Sequence, residues 1–362
     1  MIKVSLFIIS FFIISCGSPQ NEDLDGDIIP GDPSIDKEIY DEIFDYAKLE
    51  FDSYEDSFME EEPELDNEDE PVIDIIDAFD STPDEEEIGE PPLEPLFSFA
   101  ILTDTHVTGN DSNADRLRAC IEWINTHAFD RMIELVMVLG DIGWGSGLEI
   151  SHQILEELTV PYVPIIGDNE VVSNAEEAFS TTFSEQYDFL STLLSGWQKS
   201  PAPVWNPEAG QQSWFTNLYF EHHGVHFIGL DWAVRGQGEP FSEFGDLHNF
   251  EGGTWQWFEE IFLSTPKDAS ESIVMFSHIP MHLGAFTWGE MDSIESLSGP
   301  YASAVYADFA GHVHITYERP VPEGGYIVYV TDATWDDENV IRLVTVNGNG
   351  VRFEYIHEII TI

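Results

Sequence analysis

The sequence predicts an α/β body with more than one β-sheet, preceded by a long acidic segment. Three observations lead to this prediction. The composition changes at Leu96 from acidic and proline-rich to apolar. Beyond that point, apolar runs typical of buried strands first alternate with helical segments and later follow one another directly. The 362 residues are also 43% hydrophobic and 13% aromatic, which excludes wholesale disorder and supplies a large core.

The N-terminus combines a basic residue, a short apolar run and a cysteine. An apolar run of 12 residues follows Lys3; it is too short for a membrane-spanning helix of about 20 residues but typical of a secretory signal peptide. The run ends in the letters IISC, which resemble the lipobox of bacterial lipoproteins. This resemblance implies that residues 1–15 are a signal peptide and that Cys16 is lipidated. Because Gly17 follows instead of Asp, the resemblance favours the outer membrane or cell surface. A simple signal peptide that happens to contain a cysteine is the alternative.

Residues 16–95 are predicted to form a disordered acidic tether between the lipid anchor and a folded body. Residues 21–95 hold 31 acidic and two basic residues. Their net charge of −29 is half of the formal net charge of −58 of the whole chain. Mutual repulsion and proline keep such a segment extended. Only 12 Lys and Arg oppose 70 Asp and Glu in the whole chain. This balance excludes an ordinary nucleic-acid binder, which needs clustered basic residues to neutralise phosphates.

Residues 96–362 are predicted to form one folded domain. Its predicted strands are LFSFAILTDTH, MIELVMVLGD, VPYVPIIGDNE, the two arms of the hairpin NLYFEHHGVHFIGLD, ESIVMFSHIP, YADFAGHVH and GGYIVYVTDA. Its predicted helices are SNADRLRACIEWINTHAF, NAEEAFSTTFSEQYDFLSTLLSGW and GGTWQWFEEIFLS. The hairpin is expected to turn around His223 and Gly224. Cys120 is expected to be a buried small residue of the first helix, and two cysteines in total exclude a disulfide scaffold.

Polar side chains follow the ends of the predicted strands. Carboxylates and imidazoles at the carboxyl ends of neighbouring strands converge on one edge of a sheet, where α/β proteins bind ligands. Alternate residues of an extended segment point the same way, so two such residues can face one ion or straddle two. Four histidines and three aspartates are a donor set suited to two transition-metal ions. These residues are Asp104, His106, Asp141, Asp168, His278, His312 and His314.

This ordered set resembles the calcineurin-like metallophosphoesterases, whose pattern is D-x-H, G-D, G-N-H-[DE], H and G-H-x-H. The resemblance covers residues 97–332. It implies a four-layer α/β/β/α sandwich of two mixed sheets flanked by helices. It also implies two divalent metal ions (manganese, iron or zinc) and hydrolysis of phosphate mono- or diesters by a hydroxide between them.

Carried over position by position, the resemblance implies a role for each predicted ligand. One ion would be held by Asp104, His106, Asp141 and His314. The other would be held by Asp141, Asp168, His278 and His312, with Asp141 as the bridge between the two ions because a carboxylate has two oxygens to share.

The third motif departs from the family pattern, since it reads Gly-Asp-Asn-Glu over residues 167–170. Aligned without a gap, Asp168 is the ligand, and Asn169 replaces the histidine that contacts the phosphate or leaving group. With a slip of one residue, Asn169 is the ligand and Asp168 lies behind it. Asn169 cannot donate a proton to a leaving group. His282 is therefore the first candidate for the catalytic acid and His248 the second, each with a structural role as the alternative.

Several other residues are weaker candidates for the site. Trp144 stands where purple acid phosphatases carry a tyrosine ligand, which argues against that subtype. Arg235 is the one arginine expected near the site edge, where it could bind phosphate or be an ordinary surface residue. Trp144, Trp232, Phe286 and Trp288 could line a pocket or pack in the core.

The sequence thus predicts a lipid-anchored metallophosphoesterase of the bacterial cell envelope, acting on small phosphoesters. The expected partners are the substrate and the membrane, with no protein partner evident. The alternative is a catalytically degenerate member of the same fold that serves as a binding or adhesion module on a surface stalk. The acidity of the body suggests a saline habitat.

Overall fold

A computed structural model describes residues 92–236, 244–335 and 339–362. The predicted signal peptide, Cys16 and almost all of the predicted acidic tether lie outside these residues. The strands are β1 (Glu94–Leu102), β2 (Ile133–Leu139), β3 (Tyr162–Ile165), β4 (Ser195–Lys199), β5 (Val204–Asn206), β6 (Gln211–Ser213), β7 (Leu218–His222), β8 (Val225–Leu230), β9 (Ile273–Ser277), β10 (Val305–Ala310), β11 (Tyr317–Val321), β12 (Tyr326–Val330), β13 (Val340–Gly348) and β14 (Phe353–Thr361).

Helices connect many of these strands. They are α1 (Ser112–His127), α2 (Ser146–Leu155), α3 (Asp168–Val172), α4 (Glu176–Thr182), α5 (Ser184–Leu193), α6 (Thr254–Ser264) and α7 (Trp288–Ser298), with one 3₁₀ turn at Gly299–Tyr301. No helix in the described part of the chain has both the length and the hydrophobicity to cross a membrane.

The strands form two large mixed sheets, as predicted. The five-stranded sheet has the order β14-β13-β1-β2-β3, in which β1, β2 and β3 run parallel. The seven-stranded sheet has the order β11-β12-β10-β9-β8-β7-β4, in which β8, β9, β10 and β12 run parallel. The remaining neighbours in both sheets pair antiparallel. The predicted mixed α/β architecture with two sheets and helices is confirmed.

The core lies between the sheets and beneath the helices. Phe99 of β1 contacts Phe227 of β8 and Phe309 of β10, with 5.6 Å between ring centroids in each pair. Helix α1 buries one face, formed by Leu117, Cys120, Ile121 and Ile124 at helical spacing. Cys120 is therefore a buried, unpaired cysteine, as expected.

Two local predictions have different outcomes. The hairpin is confirmed, since His222 pairs with Val225 and the two turn residues His223 and Gly224 have φ of 50° and 83°, the backbone that tight hairpins require. The long helix predicted over NAEEAFSTTFSEQYDFLSTLLSGW is wrong at its end. It divides into α4 and α5, and Ser195–Lys199 forms strand β4 because these residues pair with β7. Tertiary pairing here overrides local periodicity.

Candidate metal centre

The seven predicted metal ligands come together where the two sheets meet. Asp104 and His106 follow β1, Asp141 follows β2 and Asp168 follows β3, all at the carboxyl ends of parallel strands. His278 follows β9 and the pair His312 and His314 follows β10, at the carboxyl ends of parallel strands in the other sheet. The side chains form groups whose donor atoms lie within 4.8 Å of one another.

The backbone at this edge has an unusual conformation. Five of the seven residues have φ between 46° and 70°, in the left-handed region: Asp104, His106, Asp141, His312 and His314. Each such residue costs about 1–2 kcal/mol, and such residues cluster at functional sites when the surrounding fold holds them. The expectation that these residues alternate along an extended segment was therefore wrong. Sharp turns after the strands, and not strand periodicity, aim the side chains at a common point.

Asp104, His106 and His314 form the first group. The Nε2 atom of His314 lies 3.2 Å from Oδ1 of Asp104 and that of His106 lies 3.7 Å from the same oxygen. The other carboxylate oxygen, Oδ2, accepts hydrogen bonds from the Thr103 hydroxyl (2.6 Å) and the His312 backbone N–H (2.9 Å). One oxygen of Asp104 is thus held by the protein, and the other faces the two imidazoles.

Asp168, His278 and His312 form the second group. Oδ1 of Asp168 lies 2.9 Å from Nε2 of His278 and 3.1 Å from Nδ1 of His312. The Nδ1–H of His278 donates to the Leu139 carbonyl oxygen at 2.7 Å, a contact that fixes the ring orientation and directs Nε2 towards the carboxylates. Of the two sequence alignments, the structure places Asp168, and not Asn169, beside these histidines.

The Asp141 carboxylate lies between the two groups. Its Oδ2 is 3.3 Å from Nε2 of His106 and its Oδ1 is 3.5 Å from Nε2 of His278. Asn169 donates hydrogen bonds to both oxygens, from its backbone N–H at 2.9 Å and from its side-chain amide. The buried carboxylate therefore presents one oxygen to each group, which is the arrangement that a carboxylate shared by two ions requires.

The donor set fits cations. Burial works to lower the pKa of His278, but the Asp141 and Asp104 carboxylates raise it well above its usual value. Burial also works to lower the pKa of His106. The Asp104 and Asp141 carboxylates outweigh burial and raise this pKa to about 10. The Nε2 atom of His106 is nevertheless buried without a hydrogen-bond partner of good geometry among the described residues. Divalent ions would balance the carboxylates without requiring these protons, and the neutral imidazoles would then be free to act as ligands.

Glu170 supports the site in a way that the sequence analysis did not foresee. It is fully buried, and its carboxylate accepts hydrogen bonds from the backbone N–H groups of Asp141 (3.1 Å), Gly143 (2.8 Å) and Gly167 (2.9 Å). Burial, together with the charge of Asp141, raises the pKa of Glu170 to about 8. Glu170 thus joins the loops after β2 and β3, and its only sequence signal was its place as the last residue of the third motif.

Two tryptophans flank His106. The ring centroid of His106 lies 5.4 Å from Trp144 and 5.2 Å from Trp335, and Trp335 also lies 5.5 Å from His314. Trp335 was missed because no motif surrounds it. Trp232 and Phe286 pack against each other in the core, and Trp288 is 69% exposed.

Both ring nitrogens of His282 take part in hydrogen bonds. Its Nδ1–H donates to the Leu283 carbonyl oxygen (2.9 Å), and its Nε2 accepts from the Tyr317 hydroxyl (2.7 Å). Burial, and then the charge of Arg319, lower the pKa of His282 to about 4. The side chain is therefore neutral near pH 7, with each nitrogen already in a hydrogen bond, which weighs against its predicted role as catalytic acid.

His248 and Arg235 have other partners. The Nε2–H of His248 donates to the Ala233 carbonyl oxygen at 2.9 Å, and its ring packs on Phe215. Arg235 is only 3% exposed and bonds to Asp231 through two nitrogens, at 2.7 Å each, and to Glu176 at 3.1 Å. Neither residue contacts the predicted ligands, and the guanidinium of Arg235 is occupied by carboxylates instead of being open to phosphate.

The chain is similar to several proteins of known structure. One is TT1561 of Thermus thermophilus, with 11% identity, coverage of 70% of this chain and 99% of that chain, and a TM-score of 0.40. Another is the sulfate thiohydrolase SoxB of Thermus thermophilus, with 12% identity, coverage of 75% of this chain and 58% of that chain, and a TM-score of 0.41. A third is the phosphopantetheinyl hydrolase PptH from Mycobacterium tuberculosis, with 11% identity, coverage of 66% of this chain and 90% of that chain, and a TM-score of 0.38. No curated protein sequence matches the chain. The profile of the calcineurin-like phosphoesterases matches residues 97–316, which is more than half of the sequence, so the chain belongs to that family.

Proposed function

We propose that this protein hydrolyses small phosphate mono- or diesters at a centre of two divalent metal ions, with manganese, iron and zinc as candidates. Membership of the calcineurin-like phosphoesterase family implies metal-dependent phosphoester hydrolysis in general. The observation that carries the two-ion proposal is the Asp141 carboxylate, whose two oxygens face two different groups of histidine and aspartate.

Each residue of the centre has a distinct part in this proposal. One ion would be held by Asp104, His106, Asp141 and His314. The other ion would be held by Asp141, Asp168, His278 and His312. When bound, two divalent ions supply the Lewis acidity that activates water and offsets charge on phosphoryl oxygens. Thr103, the Leu139 carbonyl and Glu170 keep the carboxylates and imidazoles in position.

Asn169 limits the range of efficient substrates. Its amide lies beside Asp141, where it can donate a hydrogen bond to a phosphoryl oxygen but has no proton to give to a departing alkoxide. His282 is hydrogen-bonded at both ring nitrogens, and in this proposal it does not supply that proton. We therefore expect esters with good leaving groups, such as aryl phosphates, to react faster than alkyl phosphates.

The test measures metal content and turnover together. Wild-type protein reconstituted with manganese, zinc or iron is assayed on p-nitrophenyl phosphate and on bis(p-nitrophenyl) phosphate. Asp141→Asn should lose metal and about 10²–10³-fold in turnover, the range for removal of one preorganised electrostatic group. Asp115→Asn is the matched control, because Asp115 is exposed in an ion pair with Arg118. Bound metal without turnover of either ester by the wild type would instead favour the degenerate binding module.

The location of the protein is a separate proposal that rests on the sequence. We propose that lipid at Cys16 anchors the chain to the cell envelope, at the outer membrane or cell surface, and that residues 16–95 hold the body away from the bilayer. The IISC lipobox and the acidic composition of the following residues support this proposal. Cys16→Ser should prevent incorporation of labelled fatty acid and move the protein from the membrane to the soluble fraction. Unchanged labelling would contradict the anchor.

A further inference from the structure

A second cluster of metal-binding side chains lies away from the centre described above. Glu134 is the second residue of β2, whereas Asp141 follows the opposite end of that strand. His222 ends β7 and His223 begins the turn to β8. The Nε2 atoms of His222 and His223 lie 2.9 Å and 3.0 Å from the same oxygen, Oε2, of Glu134. All three donor atoms lie within 4.8 Å of one another.

The hairpin turn is what brings both imidazoles to one side. Successive residues of a strand point to opposite faces, so two adjacent histidines would ordinarily diverge. His223 has a φ of 50°, in the left-handed region, and this turn conformation brings its ring to the side of His222. The two rings stand at 81° to each other with centroids 4.5 Å apart.

A fully buried aromatic ring orients both imidazoles. Phe97 of β1 meets His222 edge-on, with centroids 4.7 Å apart, and stacks on His223 at 5.2 Å. The two rings therefore have one preferred orientation each before any ion arrives. Preorganisation of this kind reduces the entropic cost of binding.

The distances from the carboxylate oxygen to the two imidazole nitrogens suit a transition-metal ion. In tetrahedral coordination with bonds of about 2.0 Å, neighbouring ligand atoms are about 3.3 Å apart, close to the separations of 2.9 Å and 3.0 Å seen here. Two imidazole nitrogens and one carboxylate oxygen form a donor set that zinc commonly takes.

We propose that Glu134, His222 and His223 form a third metal site, for zinc or a similar divalent transition-metal ion. The site joins β2 of the five-stranded sheet to the β7–β8 hairpin of the seven-stranded sheet. The three side chains are 20% to 42% exposed, so the ion is reached from solvent and water completes its coordination. Its role is to fasten the two sheets together at the edge opposite the catalytic centre.

Metal counting tests this site directly. The full chain is loaded with zinc or cobalt, and bound metal is measured after removal of weakly held ions. His223→Asn should bind one equivalent less than the wild type and keep the turnover of the catalytic centre. Asparagine suits this variant because it tolerates a left-handed backbone. Added zinc should also raise the melting temperature of the wild type more than that of the variant.

Two further variants make the result decisive. Glu134→Gln retains the shape of the side chain but removes the anionic ligand, and it should lose the same equivalent. His152→Ala is the control, because His152 forms an ordinary pair with the single carboxylate of Glu156 at 3.6 Å; it should bind as much metal as the wild type. Any weak binding by the acidic N-terminal residues is common to all four proteins and cancels in the differences. Equal metal content in the wild type, His223→Asn and Glu134→Gln would overturn the proposal.

Discussion

The Asp141 carboxylate shows how strongly single residues in this centre depend on their neighbours. Its two oxygens face histidines from different sheets, and Asn169 donates hydrogen bonds to both oxygens. The backbone N–H of Asp141 in turn donates a hydrogen bond to the Glu170 carboxylate. We expect a change at Asn169 or Glu170 to alter the direction of the Asp141 carboxylate oxygens. Asn169 is therefore placed to hold this carboxylate, and its contact with substrate remains a prediction.

The role of His282 can be tested with substrates of different leaving-group ability. Because His282 is neutral near pH 7 and accepts a hydrogen bond from Tyr317, we predict that His282→Ala reduces turnover equally for aryl and alkyl phosphates. The measurement is kcat on a series of esters with leaving groups of increasing pKa. Tyr317→Phe serves as the matched control, since it removes the same hydrogen bond while retaining the imidazole. A loss confined to alkyl esters in His282→Ala would restore the acid role.

At the scale of elements, the loops after the strands matter more than the strands themselves. The loops after β1, β2 and β10 place the predicted ligands through residues with left-handed backbone conformation. Glu170 accepts hydrogen bonds from both the loop after β2 and the loop after β3. The close approach of these loops leaves no space for a side chain at Gly140. A Cβ atom there would lie 2.6 Å from the His278 ring and 2.8 Å from Gly167 Cα.

Gly140→Ala tests this packing. The position has a φ of 77°, so alanine adds about 1–2 kcal/mol of backbone strain and also displaces the His278 ring. We predict a loss of about 10–100-fold in metal affinity or turnover, as expected when the orientation of a ligand is disturbed. Metal titration, turnover and urea unfolding would measure it.

Gly145→Ala is the control for backbone strain alone. Gly145 also has a positive φ, 57°, but a Cβ there meets no atom of the described residues within 4 Å. This variant should lose stability and keep its metal and activity. Equal losses of activity in the two variants would show that contact with His278 is not what matters at Gly140.

At the scale of the whole molecule, the two sheets need each other to form the centre. Asp104, Asp141 and Asp168 come from one sheet, and His278, His312 and His314 come from the other. Phe99, Phe227 and Phe309 hold the sheets face to face. We therefore expect repacking of this aromatic layer to disturb the centre.

Charge acts on the molecule as a whole. Residues 96–362 contain 39 acidic and nine basic residues, and such an excess destabilises a compact state by self-repulsion. We predict that the free energy of unfolding rises between about 0.01 M and 0.15 M salt, as the screening length falls from about 30 Å to 8 Å. Urea unfolding at matched concentrations of NaCl and KCl would separate screening from binding of a particular cation. A fall in stability with salt would show that ion pairs dominate instead.

The saline habitat inferred from the composition has its own test. Activity retained at molar salt would support it, and inhibition at a few hundred millimolar would argue against it. The same acidity disfavours polyanionic substrates and attracts the cations that the centre requires.

The sequence by itself determined the family, the alternation of strands and helices, the hairpin at His223 and Gly224, and the set of side chains at the strand ends. These features depend on local periodicity and on short motifs, which are visible in a linear chain. The metal ligands themselves remain a prediction, although the fold brings all seven side chains together.

Only the tertiary structure decided which side chains become neighbours. It placed Asp168 beside His278, 110 residues away, and paired His282 with Tyr317, Arg235 with Asp231 and Glu176, and Glu134 with His222 and His223. It also replaced the expected extended geometry of Asp104 and His106 by left-handed turns. The physical reason is that a hydrogen bond or ion pair requires atoms about 3 Å apart. For residues far apart in the sequence, tertiary packing sets that distance.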